Sequence, residues 1–177
     1  MSSVVRFFKE DAPFGELSNF YKLSSPILFD GKEYTTSEHL YHACKYVYPE
    51  AAQINQQYIE QIRLANTPYK AKILANMTKS HKYQWNEELN SIIDIYTING
   101  VKRREDWEQV KDKVMKYVLI LKFKTDKHSR ELLILTVNAR LIEASPYDSY
   151  WGCGSNGKGL NKLGKLLEEV REELNNM

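Results

Sequence analysis

The chain has 177 residues, 42% of them apolar and 27% charged, enough to bury one substantial core and too short to argue for two. Lysine plus arginine (25) exceed aspartate plus glutamate (23) by two, with the signs interspersed, which excludes the field of a general nucleic-acid binder. No run approaches the roughly 18 apolar residues of a membrane helix, the start reaches Arg6, Lys9 and Glu10 too soon for a signal peptide, and Cys44 and Cys153 form no Cys-x-x-Cys pair. A cytoplasmic protein without membrane association is expected.

In chain order, the first third reads as short strands and turns. Val4 to Phe8 is β-rich, and Ile27 to Tyr34 places Asp30-Gly31 between two short runs, the local signature of a tight hairpin. Thr35-Thr36-Ser37-Glu38 then opens a helix expected to reach about Val47. Ala51, Ile54, Tyr58, Ile62 and Ala65 keep helical spacing, and Thr67-Pro68 supplies an N-cap followed by proline at the first helical position. Residues 79–106 are the least patterned part and read as an insertion, with a strand or hairpin expected at Ile92 to Val101 around Asn99-Gly100. Trp107, Val110, Val114, Val118 and Leu121 step by three and four, predicting an amphipathic helix to Phe123. A shorter helix near Ser129 to Thr136, a strand at Arg140 to Ala144 and a closing helix through Leu163, Leu167, Val170 and Leu174 complete the chain. The sum is an α+β, mainly α-helical fold: one compact domain over residues 1–177, with an N-terminal hairpin region and a glycine-rich loop before the last helix.

That loop is the most informative segment, because five of the eight glycines lie between Tyr150 and Gly164. Such a run permits positive φ and close backbone approach, and can turn several amide N–H groups toward one anion at the start of a helix. The string Gly152-Cys-Gly-Ser-Asn-Gly157 satisfies the dinucleotide pattern, but no second strand with an acidic residue follows. The Walker pattern fails too, since Gly159 follows Lys158. A plain mobile connector remains an alternative, against which Asp148 and Trp151 at the root of the loop speak.

Spacing of four and three places Glu38, His42 and Lys45 on one helix face. Two readings are open. Thr35-x-x-Glu38 is a capping box in one; in the other, acid, imidazole and ammonium point together for catalysis. Trp107 is likewise either a core residue of its helix or part of a site. The four histidines show no metal-ligand spacing, so no metal and no cofactor is expected.

Three segments together resemble the YbiA-like or NADAR family: Gly15-Glu-Leu-Ser-Asn-Phe20 with Thr36-Ser-Glu-His39 and Lys45; Trp107 with Val114-Met115 and Lys122-Phe123; and Asp148-Ser-Tyr-Trp-Gly-x-Gly-x-x-Gly-Lys-Gly-x-Asn-x-Leu-Gly164 followed by Arg171. The resemblance covers nearly the whole chain. It implies an N-glycosidase acting on a small phosphorylated ribosyl substrate, in one branch the ribosylamino-pyrimidine phosphates of riboflavin synthesis. In others the substrate is ADP-ribosyl-guanine, which would make ADP-ribosylated nucleic acid a partner. A silent ADP-ribose-binding module is the rival from another class.

The resemblance also implies the site. Glu38, Trp107 and Asp148 fall on the family's catalytic positions, and Lys45 on a lysine that would capture the opened sugar as a Schiff base. Substrate would be bound by Asn19, Trp151, Gly152, Gly154, Gly157, Lys158, Gly159 and Asn161. Breaking a ribosyl C–N bond builds positive charge at C1′ and negative charge on the base, work that two carboxyl groups can divide. The expectation is that Glu38 transfers the proton, Asp148 serves the sugar, Trp107 stacks on the base, and the loop with Lys158 holds phosphate.

Overall fold

A computed structural model describes residues 3–176. Its elements are β1 (Val4–Phe7), β2 (Ile27–Phe29), β3 (Lys32–Tyr34), α1 (Ser37–Ala43), α2 (Gln53–Arg63), α3 (Pro68–Asn76), α4 (Trp85–Ile98), α5 (Trp107–Thr125), α6 (Lys127–Leu135), β4 (Arg140–Glu143) and α7 (Lys162–Asn175), with 3-10 turns at Gly15–Leu17 and Cys44–Tyr46. The fold is therefore α+β and mainly helical. No helix among the described residues is long and apolar enough to cross a membrane. Backbone proximity divides the chain into one unit of Met1–Ser37 with Asp112–Met177 and another of Glu38–Lys111.

In the first unit, β1 pairs in parallel with β4, Val4 opposite Arg140 and Phe7 opposite Glu143. The hairpin expected at Asp30-Gly31 forms as β2 and β3, with Phe29 opposite Lys32. Asp30 and Gly31 have φ of 50° and 72°, the pair of positive values that a two-residue turn of matching twist requires. Asp126 caps α6, accepting from the Ser129 amide at 3.1 Å through one oxygen, while its other oxygen takes the amides of Ser24 and Ser25 at 3.1 and 3.2 Å. Phe7, Leu17, Ile27, Val118, Leu119, Phe123, Leu141, Leu167 and Val170 form the core. Lys122 is buried with them and donates to the Ser18 carbonyl at 2.8 Å.

The second unit is built on α2, α3 and α4. Tyr46 and Tyr58 pack edge to face, ring centroids 5.0 Å apart, and each hydroxyl donates to a carbonyl near the end of α3, those of Ala75 (2.9 Å) and Leu74 (2.7 Å). The predicted N-cap holds: the Thr67 hydroxyl accepts from the Lys70 amide at 3.2 Å, with Pro68 at the first helical position.

The strand expected at Ile92 to Val101 is instead the second half of α4. Trp85, Leu89 and Ile93 recur at helical spacing, with Leu89 and Ile93 buried. Asn99-Gly100 ends this helix rather than turning a hairpin: Gly100 has φ 83°, and the Gly100 and Val101 amides donate back to the carbonyls of Thr97 and Tyr96. The first helix also stops short of Val47, giving way at Cys44 to the 3-10 turn.

Candidate functional site

The second unit gathers Glu38, His42, Lys45 and Trp107 into one buried cluster, exposed by 7, 3, 4 and 2% respectively. Because α1 begins at Ser37, Thr36 precedes its first residue and Glu38 lies one position too early to close a box with Thr35. The Glu38 carboxylate hydrogen-bonds forward instead, Oε1 to the Nε2 of His42 at 2.8 Å. One turn further, the Lys45 ammonium hydrogen-bonds the Asn76 amide oxygen at the end of α3. It lies 5.6 Å from the Trp107 ring centroid and 5.9 Å from that of Tyr41, the two rings being 5.1 Å apart.

Burial and charge act in opposition on these groups. Burial drives the Lys45 ammonium down to about 8, against the nearby Glu38 carboxylate, and Arg103 and Lys72 add to the depression. For Glu38 burial pushes the carboxyl up, but coupling to His42, through the charge of its protonated ring and through the hydrogen bond, together with the ammoniums of Lys72 and Lys45, outweighs it and holds it below its ordinary value. Burial likewise depresses His42, more strongly than Glu38 raises it. At neutral pH the cluster thus holds an ionised carboxylate, a neutral imidazole and an acidified ammonium. A base and an unusually strong lysine acid stand within one buried group.

Trp107, 2% exposed, packs its ring against Tyr41 and beside the Lys45 ammonium. The sequence reading missed Asn76 and Lys72. Both come from α3, some thirty residues from Lys45, and no local spacing announces a contact of that range.

In the first unit, Asp148 organises the glycine-rich loop: its Oδ1 accepts from the amides of Tyr150 at 2.8 Å and Trp151 at 2.7 Å. Seven amides in and just after the loop donate to backbone carbonyls of the same region. Cys153 donates to Glu143, Gly154 to Asp148, Gly159 to Cys153, Leu160 to Ser149, Asn161 to Gly152, Lys162 to Tyr150 and Leu163 to Trp151, all through backbone carbonyls. The loop spends these donors on itself, among them those of Lys162 and Leu163 in the first turn of α7.

Gly152 and Gly159 are close-approach positions in that fold, and Gly154 and Gly157 hold positive φ. Asn161 is buried and bonded to β4, its Oδ1 accepting from Glu143 and its Nδ2 donating to Leu141. Asn19 is similarly buried, between the Met115 sulfur (3.3 Å) and the Ser37 hydroxyl (3.0 Å). Trp151 is half-buried with its ring edge to face with Tyr150, and Lys158 is exposed at the loop tip. Cys153 takes a weak hydrogen bond from Arg6 at 3.6 Å. Among the described residues no group of three or more His, Cys, Asp or Glu is placed to hold a metal ion.

The chain is similar over nearly its whole length to curated proteins. It is 34% identical over 172 residues to N-glycosidase YbiA of Escherichia coli (strain K12), covering 97% of this chain and 89% of that protein. It is 35% identical to N-glycosidase Npun_R5314 of Nostoc punctiforme, covering 98% and 94%. It is 32% identical to the riboflavin biosynthesis protein PYRR, chloroplastic, of Zea mays, covering 98% of this chain but 25% of that longer one. The NMR structure of E. coli YbiA superposes with a TM-score of 0.71 at 32% identity, over 99% of this chain and 86% of that one. The NADAR domain matches residues 6–175. With its fold, its buried acid-imidazole-lysine cluster and these full-length likenesses, the chain belongs to the NADAR domain family.

Proposed function

We propose that this protein is an N-glycosidase that hydrolyses the bond between C1′ and nitrogen in a phosphorylated ribosyl compound, and that its substrates are ribosylamino-pyrimidine phosphates. The reaction class is supported by full-length relatives that carry the name N-glycosidase. The substrate class is supported by the likeness to a riboflavin biosynthesis protein. The observation that carries the mechanism is the burial, in one cluster and within electrostatic range, of an ionised Glu38 and a Lys45 brought down to about 8.

These states reassign the chemistry. An ionised Glu38 takes a proton rather than giving one, so it draws a proton from water as that water adds to C1′. The Lys45 ammonium, a stronger acid than an ordinary lysine, gives its proton to the departing nitrogen. Carboxylic acid and amine then exchange that proton, restoring both. Atoms and charge balance: the ribosyl compound and water yield a free ribose phosphate and a protonated base. Water-poor surroundings strengthen both roles, because charge developing at C1′ meets a fixed carboxylate in a low dielectric. The part played by Asp148 is proposed from the family resemblance alone.

Incubation with ribosylamino-pyrimidine phosphates, NAD, ADP-ribose and ADP-ribosylated guanine, followed by mass spectrometry, tests the proposal. Release of the aminopyrimidine and ribose 5-phosphate, lost in E38Q, is expected. Release from ADP-ribosylated guanine alone would move the substrate class. Binding of ADP-ribose by calorimetry without any released base would replace the enzyme by a binding module.

A further inference from the structure

His42 lies outside the roles above, yet its Nε2 hydrogen-bonds Glu38 at 2.8 Å and the residue is itself buried. We propose that His42 is a positioning residue of the glycosidase centre: its Nε2–H donates to Oε1 of Glu38, fixing that carboxylate in place and keeping it a base. The proposal rests on the N-glycosidase reading for its catalytic consequence, and on geometry for its physical basis.

A carboxylate only accepts, so with Glu38 ionised the proton of the 2.8 Å bond must sit on His42 Nε2. The other ring nitrogen, Nδ1, is buried and has no hydrogen-bond partner among the described residues. A neutral imidazole in this tautomer leaves there an idle acceptor. An imidazolium would bury a charged N–H donor with nothing to receive it, a far costlier arrangement. The geometry therefore favours neutral His42 and ionised Glu38 over the alternative in which the ring is charged.

The charged surroundings press the same way. Facing the pair are Lys45 of the 3-10 turn and Lys72 of α3, while His39 of α1 lies within electrostatic range of Glu38 and hydrogen-bonds the Ala65 carbonyl at 2.9 Å. Tyr41 packs its ring on His42 with centroids 5.3 Å apart and carries no charge at neutral pH. Two ammoniums oppose a further positive charge on the ring and favour the negative one on Glu38. His42 is thereby a neutral donor that does not compete for the proton Glu38 must take.

The test measures the Glu38 carboxyl by 13C NMR titration in the ligand-free protein, its resonance assigned by its loss in E38Q, with the pH profile of kcat/KM alongside. In H42L the carboxylate loses its donor while remaining buried. Its midpoint should rise by about one pH unit, and kcat at pH 7 should fall roughly tenfold with KM changed less than about twofold. H42Q retains an N–H donor without titrating and should restore both midpoint and kcat to near wild type. A merely structural histidine would lower thermal stability in both variants without moving the midpoint. An unmoved midpoint in H42L, or an H42Q midpoint raised as far as in H42L, overturns the proposal. Because the titration needs no substrate, it decides the role of His42 even if the panel of ribosyl compounds shows no turnover.

Discussion

Asn161 bonds to the flank of β4 as a neighbouring strand would, its Nδ2 donating to the Leu141 carbonyl at 2.8 Å. Its Oδ1 accepts from the Glu143 amide at 2.9 Å, so one side chain satisfies both backbone groups, and φ of 50° shows a position where asparagine is tolerated better than most residues. N161A should lose both bonds, strand two buried backbone groups and place alanine in the left-handed region, costing about 3 kcal/mol in all. Urea unfolding measures that loss. The remaining folded enzyme should keep its KM, and a raised KM at unchanged stability would return Asn161 to substrate.

The glycines of the loop divide by what a methyl group would meet. At Gly164 a Cβ would lie 2.1 Å from the Leu141 carbonyl oxygen, and at Gly159 it would lie 2.5 Å from that of Gly152; both neighbours are backbone and cannot yield cheaply. At Gly157 the space is open and only φ of 71° opposes substitution. G157A should therefore cost about 1 kcal/mol, G159A and G164A several times that. Midpoints of denaturation should rank G157A above G159A and G164A, and equal losses would show that conformation rather than packing dictates these glycines.

Much of the fold was legible where the residues act locally. Asp30-Gly31, Thr67-Pro68 and the Trp107 to Leu121 periodicity each specify their element through backbone geometry or one apolar face. Asn99-Gly100 misled because the same dipeptide serves a hairpin turn and a helix end; the choice between them lies in the burial of Leu89 and Ile93, which spacing alone does not reveal. In the site, the Glu38, His42 and Lys45 face was readable, being set by helical period. Ionisation was not, since it depends on burial and on Lys72 arriving from α3. Glycine composition marked a tightly turned loop, but composition cannot tell whether an amide is aimed outward or spent on a neighbouring carbonyl.

Asp148 admits a clean separation of charge from architecture. The oxygen that accepts from Tyr150 and Trp151 is one that an asparagine amide also offers. D148N should hence leave the loop folded and the melting temperature within about 2 °C of wild type, a shift below roughly 1 kcal/mol. If the carboxylate serves the sugar as proposed, kcat falls by two orders of magnitude or more. Retained turnover in D148N would confine Asp148 to loop architecture, whereas alanine, removing acceptor and charge together, would distinguish nothing.

At Lys45 the proposed proton transfer is set against stability. Its ammonium is brought from an ordinary 10.5 to about 8, so between those values the unfolded chain binds a proton that the folded one has released. Stability from this residue therefore rises as pH climbs from about 8 to 10.5, and below 8 the full penalty stands, on the order of 3 kcal/mol. K45M removes the penalty together with the bond to Asn76, and the balance predicts a protein about 1–2 kcal/mol more stable at pH 7. That advantage should shrink toward pH 10, as measured by denaturant unfolding at both values. Turnover should vanish in K45M. In the wild type, turnover should decline as pH rises through about 8, where the ammonium surrenders the proton meant for the leaving group. K45R stays charged throughout and is too weak an acid to make that transfer, so it should be inactive at every pH; a K45R enzyme that retained the wild-type profile would take the proton donor away from Lys45.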